Sequence, residues 1–305
     1  MNISHEANKI NSYLLLRGKI FARIRSFFAR RCVIEVTTPL LLPTTNPSPY
    51  LNNFSCDGLY LQSSPEFAMK KLLATGSGDI YQLCKAFRKD EAGRFHNPEF
   101  MILEWYRISF DHHDLMTEVE ELLRYTIKSP QAKRRSYQDV CEEFLKINPH
   151  KTNIKQLKQV AQKNNLVVAN LDNNPDTWLQ LLFTHVVEPK LNTKYPIFIY
   201  DFPKTQAMLA RTRQQGKAQV ASRFEVYYKG IELANGFHEL NDAQEQRRRF
   251  RHELAQRKKL NLPSIPIDEE FLDLLPKLPN CSGVALGVDR LLLLASGAQS
   301  LAEIN

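Results

Sequence analysis

The chain has 305 residues, 43% of them hydrophobic and 24% charged, which is ordinary globular composition. Its formal charge of +8 points to an anionic ligand or partner without saying which kind. The five cysteines (Cys32, Cys56, Cys84, Cys141 and Cys281) are scattered with no C-x-x-C pair, which argues against a disulfide framework or a zinc cluster and fits a reducing cytosol. The opening "MNISHEANKI" is polar and has no apolar signal-peptide core, and no apolar run approaches the ~20 residues of a membrane span. A cytoplasmic protein with no membrane association is expected.

In chain order, residues 12–31 place Ile20, Ile24 and Phe27 on one helical face with Phe21 and Phe28 beside it. "CVIEV" (32–36) reads as a strand, and "TTPLLLPTTNPSP" as its proline-stopped exit. "SSPEFAMKKLLATGSG" starts a helix near Pro65, with a serine before it as cap. A strand, loop and strand follow, ending in "FRKDEAGRFHNPEFMILEWYR" (87–107). Residues 111–190 are mostly helical, with a polar loop at 170–176, and the pair His112–His113 is a helix start. "YPIFIYDFP" (195–203) is a strand, and "FEVYYKGIELANGFHEL" (224–240) is two strands joined at Lys229–Gly230. A basic helix follows, and then "CSGVALGVDRLLLLASG", a glycine-bearing strand entering an apolar helix. Strand–turn–strand pairs outnumber β-α-β units, so an α+β fold is expected, an antiparallel β-sheet flanked by helices.

The hairpin's alternation separates two faces. Met101, Leu103 and Trp105 fall on one side with Tyr81, Leu83 and Phe87. Phe100, Ile102, Glu104 and Tyr106 fall on the other, with Gln82, Cys84, Ala86 and Arg88. The first face is core. The second mixes small, polar, aromatic and charged groups, as expected beneath a ligand.

Three segments now share a vocabulary: "EVTTPLL", the hairpin with "FR" before its loop, and "GVDR" entering a helix. In that order they resemble motifs 1, 2 and 3 of the class II aminoacyl-tRNA synthetases, at about residues 17–42, 81–107 and 283–297. With "RFHNPEF" and "ELANGFHELNDAQEQ" the chain is most similar to the lysyl-tRNA synthetase catalytic domain, as a single domain over residues 1–305. Motif 1 begins so early that no anticodon-binding domain is expected ahead of it. A free-standing core of this kind resembles the elongation factor P–lysine ligases.

The resemblance implies ATP and Mg2+, (R)-β-lysine as amino acid, and elongation factor P, an acidic tRNA-shaped protein, as acceptor. It also implies a homodimer formed through motif 1, and no stable nucleic-acid partner. Arg88 matches the arginine that bridges the α-phosphate and the amino-acid carboxylate, and Arg290 the one near the γ-phosphate and adenine. Cations there offset the negative charge gathered when a carboxylate attacks a phosphate. Phe100 matches a purine support, with Asn97 beside it. Lys89 and Asp90 match positions that touch ATP, although the family usually has glutamate where Asp90 stands. His96 is a phosphate contact or a structural loop histidine. Glu232, Leu233 and Gly287 complete the ATP set.

Glu232 and Glu239 resemble metal and substrate carboxylates, and magnesium prefers such oxygen ligands. Their separation of seven residues puts them on opposite faces of a straight strand, so an irregularity near Asn235–Gly236 is expected to restore the phase. A substrate with two amines needs acceptors at both ends. Glu66 and Glu239 match the ammonium-binding positions, Ser64 and Pro65 the neighbouring wall, and Tyr106 and Asn235 polar contacts. Ala285 stands where lysyl-tRNA synthetases keep a glycine near the substrate α-carbon, and its methyl favours a β-amino acid. The basic run Arg247, Arg248, Arg249, Arg251, Arg257, Lys258 and Lys259 is either a solvated helix face or a site for an acidic partner or nucleic acid. Two rival functions compete: a truncated synthetase charging tRNA with lysine, and a non-catalytic paralogue serving as a binding module.

Overall fold

The computed structural model describes residues 3–166 and 171–304, with side chains described from Asn11 onward. The first elements are α1 (Ile3–Ala29), β1 (Ile34–Glu35), β2 (Leu41–Leu42), β3 (Ser55–Cys56), β4 (Leu59–Leu61), α2 (Glu66–Ala74), β5 (Ile80–Phe87), β6 (Glu99–Ile108) and α3 (His112–Ile127). There follow β7 (Lys133–Ser136), α4 (Tyr137–Phe144), α5 (Ile154–Lys163), α6 (Pro175–Leu182), β8 (Ile197–Pro203), β9 (Thr212–Gln215), β10 (Ala218–Tyr228) and β11 (Ile231–His238). The last are α7 (Ala243–Lys259), α8 (Glu269–Leu274), β12 (Cys281–Gly287) and α9 (Val288–Ser296). They form two compact units, Met1–Lys128 with Glu239–Asn305, and Ser129–His238.

In the first unit the strands run β1-β5-β6-β12. β5 with β6 and β6 with β12 are antiparallel, whereas β1 with β5 is parallel. The predicted face of α1 covers the core side of this sheet. Ile20, Ile24, Phe27 and Phe28 are buried, and Phe28 stacks on Tyr81 (centroids 4.4 Å apart) and meets Trp105 edge-on. The expected strand 32–36 shrinks to Ile34–Glu35 because Cys32 takes a left-handed φ of 56° that turns the chain out of α1. The segment read as an irregular exit contributes β2 to a small antiparallel sheet, β2-β4-β3. α2 is fixed from behind by Phe67, which stacks on Phe271 of α8 at 4.5 Å. His112–His113 opens α3, where the Asp111 carboxylate caps the backbone N–H groups of His113 and Asp114.

In the second unit the order is β11-β10-β8-β7, with β9 on β10. β7 and β9 are absent from the sequence reading, and both for the same reason. "KRRS" and "TRQQ" carry no apolar alternation, and they pair at the margin of the sheet, held also by Arg134 over Phe198 and Arg213 on Asp201. β7 is also parallel to β8, so the sheets are mixed rather than purely antiparallel. The turn between β10 and β11 is the predicted one: Lys229 and Gly230 have φ of 51° and 75°, as a two-residue hairpin turn of matching twist requires. Of the loop expected at 170–176, residue 170 lies outside the described residues. Asn174 caps α6, which already begins at Pro175. The helices and β8 enclose a core around Tyr137, Leu157, Leu182, Phe183 and Ile199.

Candidate active site

The face opposite α1 is a floor of three strands. In the register, Gln82 lies opposite Glu104, Tyr106 opposite Gly283, and Glu104 opposite Ala285, so these side chains share one face. The floor is covered, not solvated: Gln82, Glu104 and Tyr106 are each 2% exposed.

Above it lies a cluster of charges. Ser64 Oγ and Tyr106 OH each donate to Glu104, at 2.6 Å to Oε2 and 2.6 Å to Oε1. Ser64 Oγ also accepts from the Glu66 N–H at 3.1 Å, but the N-cap position of α2 is Pro65, so the serine sits one residue before the cap rather than at it. Lys70 Nζ sits 2.6 Å from Glu66 Oε1 and 2.5 Å from Glu239 Oε2. The Glu239 backbone is tied to β12 through its N–H to the Cys281 carbonyl, 3.0 Å.

Three carboxylates thus face one ammonium. Burial pushes Glu239 above the usual carboxylate range; Lys70 opposes the shift, while Glu66 and Glu104 reinforce it. Burial and then the Glu66 charge push Glu104 upward too. Three carboxyl groups around one ammonium make this an acidic pocket.

Gly283 is what lets these groups meet. A Cβ there would lie 2.2 Å from Tyr106 Cε1 and 2.6 Å from Glu239 Oε1, so no side chain fits. Ala285, the next residue on this face, carries its methyl opposite Glu104.

The same unit gathers the predicted nucleotide residues. Arg88 is half-buried, its guanidinium 5.2 Å from the Phe100 ring centroid. Among the described residues it makes long contacts, 3.4 Å to the Ser63 carbonyl and 3.8 Å to Glu91. Lys89 and Asp90 are exposed at the loop entrance; Asn52 accepts from the Lys89 N–H with its carbonyl and donates from its side chain to the Asp90 carboxylate. Gly93 and His96 bridge across the loop. Arg290 Nε donates to the Phe95 carbonyl at 3.2 Å, and its Nη2 lies 2.6 Å from His96 Nε2. His96 therefore touches the arginine of the third motif. Asp289 accepts the Met101 N–H at 2.7 Å, which ties α9 to β6 and sets where Arg290 starts. Asn97, Phe100 and Gly287 are half-buried nearby in sequence and register.

The second unit holds Glu232, Leu233 and Asn235. The strand irregularity exists, but at Leu233 rather than at Asn235–Gly236. Glu232 pairs with Tyr227 and Ala234 with Val226, so Leu233 is the extra residue. The bulge turns Glu232 onto the face of Asn235, opposite Tyr227 and Glu225. There, Arg223 pairs with Glu225 and donates to Asn235 Oδ1 at 3.2 Å, and Tyr227 OH donates to Glu225 at 2.7 Å. Burial pushes the Glu225 carboxyl up; Arg223 opposes this and Glu232 adds to it. Among the described residues, no three His, Cys, Asp or Glu side chains are placed to hold a metal ion.

Four residues went unassigned by sequence. Glu104 was visible on the mixed face, and Lys70 lies one helical turn from Glu66. Glu225 alternates with Tyr227 on one strand. Gly283 gave no signal, since only the tertiary fold brings Tyr106 and Glu239 against it. The basic run of α7 is largely engaged internally: Arg247 pairs with Glu269, Arg248 and Arg249 with Glu245, and buried Arg257 donates to the carbonyls of Ser48, Leu51 and Pro263.

The family model for tRNA synthetases class II (D, K and N) matches residues 2–305. The chain belongs to this class II synthetase family. It is also similar to the elongation factor P–(R)-β-lysine ligases of Salmonella paratyphi B, Salmonella heidelberg and Salmonella typhimurium. Each is 48% identical over 303 residues, covering 95% of this chain and 93% of the relative. Within this class II family the chain is an ATP-dependent ligase. No described helix is long and apolar enough to cross a membrane.

Proposed function

We propose that the protein activates (R)-β-lysine with ATP and joins it to a lysine side chain of elongation factor P, the reaction in the name of its relatives. The observation that carries this reading is the buried cluster of Glu66, Glu104 and Glu239 around Lys70, an acidic lining that suits a substrate with two amines. A carboxylate oxygen of the amino acid attacks the α-phosphorus and pyrophosphate leaves. The acceptor amine then attacks the adenylate carbonyl, AMP leaves, and the amine's proton passes to solvent. Arg88 aligns the carboxylate and α-phosphate, Arg290 meets the γ-phosphate, and Phe100 supports the purine with Asn97 beside it. Lys89, Asp90, His96 and Gly287 line the nucleotide.

Magnesium prefers oxygen ligands and would draw on Glu232, which stands opposite Tyr227 on the face that also carries Asn235. When bound it would offset phosphate charge. Glu239 serves the amino acid instead, because its carboxylate is already committed to the ammonium cluster. A homodimer is supported by the exposed Leu14, Leu15, Ile34, Leu40 and Leu41 around the first motif, and by β1 at the sheet margin. A cytoplasmic setting accords with this chemistry.

Pyrophosphate exchange with each lysine isomer, without tRNA, followed by transfer to purified elongation factor P, tests the reading. Exchange is expected in the absence of tRNA. Exchange appearing only with tRNA, and lysyl-tRNA as product, would establish the synthetase alternative.

Ala285 tests the choice of isomer. Replacing it by glycine is expected to raise kcat/KM for α-lysine relative to β-lysine by about 10- to 200-fold, the worth of one methyl in a pocket. An unchanged ratio would remove the methyl from the account.

A further inference from the structure

A pocket suited to an ammonium already contains one. The Lys70 side chain is 1% exposed, so its ammonium is a built-in part of the cluster. It reaches one oxygen of each neighbour, Glu66 Oε1 and Glu239 Oε2, while Glu239 Oε1 lies on the floor beside Gly283. Burial works against the Lys70 charge, yet Glu239 and Glu66 together raise its pKa above the usual lysine value. The other charges near the cluster are Glu104 on the floor, and Glu253 and Arg249 of α7, of which the last two offset each other beside Glu66.

We propose that Lys70 is a positioning residue for the amino-acid site: its buried ammonium, in contact with one oxygen each of Glu66 and Glu239, holds these two carboxyl groups in place and shapes the pocket for a substrate with two amines. The proposal rests on the reading of this pocket as the amino-acid site. Without Lys70, three carboxyl groups share a buried space with no ammonium between them, and the cluster relieves that crowding by losing charge or by side chains turning away. Either response weakens amino-acid binding and spares ATP.

The experiment compares wild type, Lys70→Met and Lys70→Arg in pyrophosphate exchange, with lysine isomers and with analogues lacking one amine. Lys70→Met is expected to raise the amino-acid KM by about 10- to 100-fold, the range typical when the partner orienting a ligand-holding side chain is removed. The KM for ATP and the kcat at saturating amino acid should stay close to wild type, and discrimination against the one-amine analogues should fall. Lys70→Arg keeps the charge and should restore most of the amino-acid KM. If Lys70→Met does not fold, Lys70→Gln is measured in the same way. A folded, uncharged variant with wild-type amino-acid KM and discrimination, or with a loss confined to kcat, overturns the proposal alone. A wild-type protein that activates no lysine isomer overturns the parent reading and this one with it.

Discussion

Arg88→Ala is expected to form the adenylate about 100- to 1000-fold more slowly, the loss of about 2.7–4 kcal/mol that follows removal of one donor aimed at transition-state charge. The reason lies in how loosely the side chain is held. Its guanidinium stands over Phe100 and makes long contacts to Ser63 and Glu91, so the fold does not depend on it. Truncation should therefore lower kcat/KM in pyrophosphate exchange while the melting temperature barely moves. Arg290→Ala should lose activity in the same range, but with one difference. Arg290 also bonds to the Phe95 carbonyl and to His96, so its loss should loosen the loop as well and raise the KM for ATP. Near-normal exchange by either folded variant would refute its assigned role.

Gly283→Ala is expected to damage the amino-acid site more than any other single-methyl change. The added Cβ would fall 2.2 Å from Tyr106 Cε1, against a ring that is 2% exposed, with Glu239 on the next side. The Tyr106 ring cannot retreat without breaking its bond to Glu104, and Glu239 cannot without leaving Lys70. Overpacking of this kind costs about 1–3 kcal/mol of stability. The larger effect should be on the amino-acid KM, measured by exchange with saturating ATP, because the misplaced groups are the ones proposed to hold the substrate. A variant with unchanged melting temperature and unchanged amino-acid KM would mean that the pocket yields there, and that Gly283 is not required by close approach.

Much of this was legible in the chain itself because the signals are local. Period-two alternation from Phe100 to Tyr106 separated a core face from a polar one. Helical spacing placed Ile20, Ile24 and Phe27 together, and Lys229–Gly230 marked a two-residue hairpin turn. The order of three short motifs then indicated the family and Arg88, Glu66, Glu239 and Arg290 within it. Other features were not legible, because each depends on a partner far away in sequence. β7 and β9 carry no apolar pattern, and only neighbouring strands make them strands.

The bulge is the clearest case. Sequence showed that Glu232 and Glu239 were out of phase but placed the irregularity near Asn235–Gly236. The register assigns the extra position to Leu233, and so gives Glu232 the company of Glu225. The family resemblance in the sequence likewise named Glu66 and Glu239 as candidate ammonium partners. Tertiary structure alone decided that Lys70, on α2, would be the ammonium between them, and that Gly283 must lack a side chain. The physical reason is common to both. Propensity and periodicity act over a few residues, whereas charge balance and steric exclusion are properties of whichever atoms the fold brings within a few ångströms.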